Sequence, residues 1–487
     1  MTSQNPITTP KMTQDSLQPK IGSLALAPIK FKLYYGTFIY TPTLGELAVS
    51  TDTCIGVDKK GTIKIKKQFE EGSDSESNIE LVIAEHGLER SELEIVDYSA
   101  DPNKFFFPGF IDTHIHAPQV PNNGIFGNTT LLEWLEKYTF PLEASFKDVK
   151  TASYIYNKVI DRTLTNGTTL ASYYATIHEN ATKLLNDIAY LKGQRAMIGK
   201  TCMNQHSPDN YIETLDECKE AQYEVIKHVE QTNEGYESFD VITKPIITPR
   251  FAGSCTEELM RWLGELSQSG EYHVQTHLSE NHGEIKWIAD MFPHFDSYAD
   301  IYAKCNLLTE RTVLAHCIHI SEEEKDLLVK HNSGISHCPT SNSSITSGEA
   351  RIRWLLDNGV KVSLGTDCSG GFSPSILTVA RHALLVSRHL VMKSKKDKQK
   401  LTTAEVLYLA TVGGAQVLNV DSYLGKFEPG FQFDAQLIDL NVENSPLDLF
   451  SFQQGRWQEL LDKWLFNGDD RNTVKVFVNG RCVVSKV

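Results

Sequence analysis

Residues 104–116 read KFFFPGFIDTHIH, and residues 360–367 read VKVSLGTD. Each is a short apolar run that ends in imidazole or carboxylate side chains. Six further runs lie between them: GTTLASYYAT (167–176), QRAMIGKTCM (194–203), VITKPIITPRF (241–251), YHVQTHLSE (272–280), TVLAHCIHI (312–320) and SGISHCP (333–339). Stretches such as TASYIYNKVIDRTL (151–164), TEELMRWLGELSQS (256–269) and EEEKDLLVKH (322–331) separate them and repeat their apolar residues at helical spacing. Strands that alternate with helices pair in parallel, and eight such units imply a closed (β/α)8 barrel of the α/β class.

Outside this region the texture changes. FKLYYGTFIYTP (31–42), CIGVDKKGTIKIKK (54–67) and LEIVDYSA (93–100) alternate apolar and polar residues, as strands do. The same pattern returns in GKFEPGFQFDAQLIDL (425–440) and TVKVFVNGRCVVSKV (473–487). The expected organisation is a polar, disordered tail over 1–25, one part of a small β domain over 26–104, the barrel over 105–424, and the second part of the β domain over 425–487. The two ends are expected to pair into one small β-sandwich. The acidic insert EEGSDSESN (70–78) reads as a loop.

Bulk properties narrow the function classes. With 487 residues, 40% of them hydrophobic, the chain can bury a deep core and a pocket. A net charge of −15 leaves no basic face for a phosphate backbone, so no nucleic-acid partner is expected. The one basic run, KSKKDKQK (393–400), reads as a solvated helix end. Nine scattered cysteines without CxxC spacing suit reduced thiols in the cytoplasm better than a disulfide framework. The N-terminus has no apolar run of the secretory kind, and no stretch of 18 apolar residues marks a membrane span.

In such a barrel, functional residues gather at the C-terminal ends of the strands. The first run ends in His114-Ile115-His116, and alternate strand residues face the same side, so both imidazoles share one face. Neutral imidazoles there suit zinc or iron. The fifth run ends in His277 with Glu280 three residues on, the sixth in His316, and the eighth in Thr366-Asp367. One such residue alone is commonly a packed core side chain or a helix cap. Four at matching strand ends of one barrel point to a metal centre.

These segments resemble the amidohydrolase superfamily and, within it, the guanine deaminases. The resemblance is carried by PGFIDTHIHAPQ (108–119), LLEWLEKYTFPLE (131–143), ITPRF (247–251), THLSEN (276–281), LAHC (314–317), HCPTSN (337–342), LGTDCSGG (364–371) and LFNGDDRN (465–472). It implies that His114, His116, His277 and Asp367 bind one zinc ion per subunit, which activates water at neutral pH. It also implies that His316 orients that water, that Asp367 accepts its proton, and that Glu280 protonates ring nitrogen N3 of guanine and then the departing amino group. Substrate would meet the His116-Ala117-Pro118-Gln119 segment, Arg250, Phe251, His277, Glu280 and Asp367. Arg250 would donate to O6, Gln119 would read the purine edge, and Phe251 with Trp134 would lie against the ring. Binuclear relatives bridge two metals with a lysine at the fourth strand tip. Here Arg250 stands there, and Lys244 and Lys200 lie elsewhere in their runs, so a single metal is expected. A homodimer is implied by the resemblance alone.

Two alternatives share this scaffold. One is an amidohydrolase acting on another heterocycle, which Arg250, Phe251 and Gln119 disfavour. The other is a catalytically inactive scaffold protein, which would not need the complete ligand set and Glu280.

Overall fold

The structure is a computed structural model that describes residues 30–127, 129, 131–235 and 241–487. The tail expected to be disordered, 1–25, lies outside the described residues.

Eight strands pair in parallel in chain order: Phe110–His116, Thr168–Tyr174, Arg195–Gly199, Thr243–Pro249, His273–Leu278, Thr312–His316, Gly334–His337 and Lys361–Leu364. The ring closes between the eighth strand and the first. Past the end of the eighth, the Asp367 amide donates to the His114 carbonyl at 2.8 Å, and the His116 amide donates to the Cys368 carbonyl at 3.1 Å. Asp112 staples the same seam. Its carboxylate accepts from the Thr366 hydroxyl at 2.5 Å, the Thr366 amide at 3.0 Å and the His114 amide at 3.2 Å. Burial still pushes the Asp112 carboxyl up to about 7 against these bonds.

The surrounding helices follow their apolar stripes. Val149–Thr165, capped by Asp148, buries Ala152, Ile155, Tyr156, Val159 and Ile160. Glu257–Gly270, capped by Thr256, buries Leu259, Met260, Leu263 and Leu266. Spacings of three and four residues put each set on one face against the barrel.

The strands from the chain ends form one eight-stranded sheet. Its hub is Lys104–Pro108, antiparallel to Ala435–Asp439 and bridged to Phe31–Tyr40. The first apolar run therefore divides. Residues 104–108 complete the smaller sheet, and the barrel begins at Phe110 rather than at residue 105. Gly109 makes the crossing, because a Cβ there would lie 2.1 Å from Thr169 Oγ1. The sheet curls over its own core: the Ile63 amide donates to Phe431 O at 2.8 Å, and the Phe433 amide to Gly61 O at 2.7 Å. Inside, Tyr34 stacks on Phe433 and Phe38 on Phe106, with ring centroids 4.6 and 4.8 Å apart.

The acidic insert is not wholly a loop. Asp74 caps a helix, Ser75–Glu85, which buries Ile79, Val82 and Ile83 against the outer face of this sheet. The apolar triplet lies beyond the acidic residues, so the insert alone reads as polar. All nine cysteines are unpaired, and eight are buried. Among the described residues no helix is long and apolar enough to cross a membrane.

Barrel and smaller sheet are joined by a buried ion pair. Arg195, on the third barrel strand, donates to Asp434 at 2.8 and 3.3 Å, and also to Asn479. The Asn479 amide completes the Asp434 shell at 2.9 Å. Removing one partner of a buried pair costs about 3–5 kcal/mol, so Asp434→Ala should lose stability on that scale in urea denaturation. A loss below about 1 kcal/mol would show that the pair is not what joins the two layers.

Candidate active site

Six of the side chains singled out in the sequence meet at the barrel mouth. His114 Nε2 is 3.2 Å and His116 Nε2 3.5 Å from Asp367 Oδ1. His116 Nε2 and His277 Nε2 approach to 3.2 Å. His316 Nε2 lies 3.4 Å from Glu280 Oε2 and 3.7 Å from Asp367 Oδ2. His316 and Asp367 are turned inward by left-handed backbone, with φ of 70° and 45°. Such conformations carry a cost for residues with a Cβ and concentrate at functional sites.

Hydrogen bonds behind the rings set which nitrogen faces the centre. His277 Nδ1 donates to the Arg250 carbonyl at 2.6 Å, and His316 Nδ1 to Asn342 Oδ1 at 2.8 Å. In each ring the Nε2 lone pair is thus left pointing inward. Glu280 is held by Glu284, whose carboxylate accepts the amides of Glu280 and Asn281 at 3.0 and 3.2 Å.

Burial and neighbouring charges separate the protonation behaviour of these groups. Burial pushes His114, His116 and His277 towards the neutral form; His116 and His277 lie well below the ordinary histidine value. Burial alone would raise Asp367, but His114, close to its Oδ1, together with His316 and His116, holds it below the usual carboxylate range. Burial opposes protonation of His316 too, yet the charges of Glu280 and Asp367 outweigh it and raise its pKa. Glu280 is pushed up to about 7, chiefly by burial. A carboxyl poised there can both give and take a proton near neutrality.

The cluster suits a metal ion. Three neutral imidazoles and one carboxylate converge, and neither ring nitrogen of buried His114 makes a hydrogen bond. Such donors in the absence of protons are the ligand set of zinc or iron. Lys200 is buried against Glu213 at 2.6 Å and Lys244 lies over the Tyr423 ring, so neither joins the cluster.

A pocket of about 490 Å³ opens onto these groups. His116, Gln119, Arg250, Phe251, His277, Glu280, His316 and Asp367 all line it, as does Trp134. Ala117 and Pro118 do not; they are buried in the turn Ala117–Asn122 that carries Gln119 to the wall. His337 lines a separate small cavity beside Ile352 and Trp354.

A residue just behind the pocket wall was not singled out by the sequence. Glu143 is fully buried and accepts Arg250 Nη1 at 2.5 Å, Arg250 Nη2 at 3.2 Å, Gln119 Nε2 at 2.7 Å and the Tyr211 hydroxyl at 2.7 Å. Its signal was its place at the end of LLEWLEKYTFPLE, a segment too long and too apolar to be an ordinary surface loop. That segment folds over the pocket: Leu131, Leu132, Trp134 and Leu135 line it, and the Trp134 indole N–H donates to Ile125 O at 3.1 Å.

Residues 105–483 match the model of the amidohydrolase family. A probable guanine deaminase of Schizosaccharomyces pombe is 46% identical over 93% of this chain and 83% of its own length. A guanine deaminase of Dictyostelium discoideum is 42% identical over 92% of this chain and 97% of its own. The crystal structure of guanine deaminase from C. acetobutylicum, with guanine bound in its active site, superposes with a TM-score of 0.82 at 33% identity, covering 93% of this chain and 99% of that one.

The donor set makes a direct expectation. After chelation and reconstitution, the wild-type protein should hold about one metal ion per chain, and Asp367→Ala or His277→Ala well under half of that. Full occupancy in either variant, measured by elemental analysis, would remove that residue from the ligand set.

Proposed function

We propose that this chain, which belongs to the amidohydrolase family, is a guanine deaminase that hydrolyses guanine to xanthine and ammonia. The observation that carries the proposal is a single pocket that joins the metal-suited cluster and Glu280 to a fixed pair of polar readers, Arg250 and Gln119. The curated relatives named guanine deaminase over most of this chain support the same reading.

His114, His116, His277 and Asp367 would hold the metal, with zinc favoured by three imidazoles and one carboxylate. When bound, it supplies Lewis acidity that makes water a nucleophile at neutral pH. Asp367, kept ionised by the histidines around it, takes the proton of the attacking water. His316, fixed by Asn342, orients that water through Nε2. Glu280 places a proton on N3 as the new C2–O bond forms. The carboxylate so formed takes the proton of the new C2 hydroxyl and hands it to the amino nitrogen as the C2–N bond breaks and ammonia leaves, and the proton held by Asp367 restores Glu280.

Arg250 donates to O6 of the purine. Adenine presents an amino group at that position, which would set donor against donor. Phe251 and Trp134 supply apolar surface for the ring. Resemblance to the family further supports a cytoplasmic homodimer acting in purine catabolism.

Purified, metal-loaded protein incubated separately with guanine, adenine, guanosine and cytosine should release ammonia and xanthine from guanine alone, and chelation should stop it. Ammonia from another base would overturn the roles given to Arg250 and Gln119. Glu280→Gln should retain its metal yet turn over about 100- to 10,000-fold more slowly, the usual worth of a positioned acid–base group. Near-wild-type turnover in that variant would remove Glu280 from the mechanism.

A further inference from the structure

We infer that Glu143 sets the charge of the purine pocket, making it select neutral purines over anionic ones; this rests on the guanine deaminase reading above. The four hydrogen bonds it accepts, from Arg250 twice, Gln119 and Tyr211, fill the roughly four lone-pair sites of a carboxylate. Nothing is left over for a ligand. Glu143 is therefore a positioning residue that acts through the two side chains that do line the pocket.

Its first effect is on polarity. A carboxylate only accepts, so it draws the amide nitrogen of Gln119 towards itself. The Gln119 carbonyl is left turned to Ser369, whose amide and hydroxyl lie at 3.4 and 3.5 Å. An amide free to flip would present either pattern to a substrate; this one presents a single pattern.

Its second effect is on charge. A lone guanidinium in so buried a pocket would attract any anion. Paired in a bidentate bond with Glu143, Arg250 offers directional N–H donors without net charge. Guanine is neutral at physiological pH. Xanthine carries a second carbonyl where guanine has its amino group; it is the stronger acid and is partly anionic near neutrality. The pairing thus favours the neutral substrate and weakens the hold on the product.

The test uses the metal-loaded enzyme and three probes: guanine turnover, and calorimetric binding of hypoxanthine, a neutral purine with the same O6 edge, and of urate, an anion. In Glu143→Gln, loss of charged hydrogen bonds should raise the guanine KM about 10- to 100-fold. The ratio of urate to hypoxanthine affinity should rise at least about tenfold, the direction expected for an unneutralised guanidinium. Glu143→Asp keeps the charge but shortens the reach, so it should raise KM with the affinity ratio unchanged and kcat held within a few-fold. An unchanged ratio in folded, metal-loaded Glu143→Gln overturns the inference, as does an equal gain in Glu143→Asp. Should Glu143→Gln fail to fold, Glu143→Asp decides: a fall in kcat with KM unmoved overturns it. Because urate and hypoxanthine binding do not depend on turnover, a wild type inert towards guanine would sink the deaminase reading while the affinity ratio still judged Glu143.

Discussion

The hydrogen bonds that close the barrel also build its chemistry. The eighth strand meets the first through Asp367 to His114 and His116 to Cys368, with Asp112 clasping Thr366 beneath them. Three of the four residues assigned to the metal, His114, His116 and Asp367, sit on this seam. Their spacing is thus fixed by strand register rather than by flexible side-chain reach. Only His277 comes from the far side of the ring, and its Nδ1 is tied to the Arg250 carbonyl. The barrel could not open at this seam without pulling the ligands apart.

The pocket above the seam gathers charges that water would normally screen. Arg250 and Glu143 compensate each other, and His316 and Glu280 lie within 3.4 Å. The three imidazoles stay neutral while Asp367 stays ionised. Apart from Glu280, poised near neutrality, these groups are thereby given one protonation state or one donor direction before substrate arrives. Such preorganisation is what allows a buried site to stabilise developing charge without rearranging. The segment around Trp134 lines the pocket beside these buried polar side chains and adds apolar wall to it.

Much of this was legible from sequence because barrel architecture turns strand ends into addresses. His114, His116, His277, His316 and Asp367 each follow an apolar run directly, so the period-2 alternation and the strand count sufficed to bring them together. Glu280 and Arg250 lie one to three residues past a strand and were equally exposed to that logic. Glu143 was not. It is separated from Gln119 by 24 residues and from Arg250 by 107, at the end of a long connection with no strand to anchor it. The division of KFFFPGFIDTHIH was also hidden, since both halves are apolar and extended; the strand pairing shows where the chain leaves one sheet for the other, at a glycine whose Cβ would strike Thr169.

The most direct test is a crystal structure of the metal-loaded protein with xanthine bound, with anomalous scattering recorded at the metal edge. The account requires one anomalous peak among His114, His116, His277 and Asp367. It also requires a purine whose O6 accepts from Arg250 and whose C2 edge faces Glu280. A metal held by other residues, or a purine turned so that no oxygen meets Arg250, would contradict it.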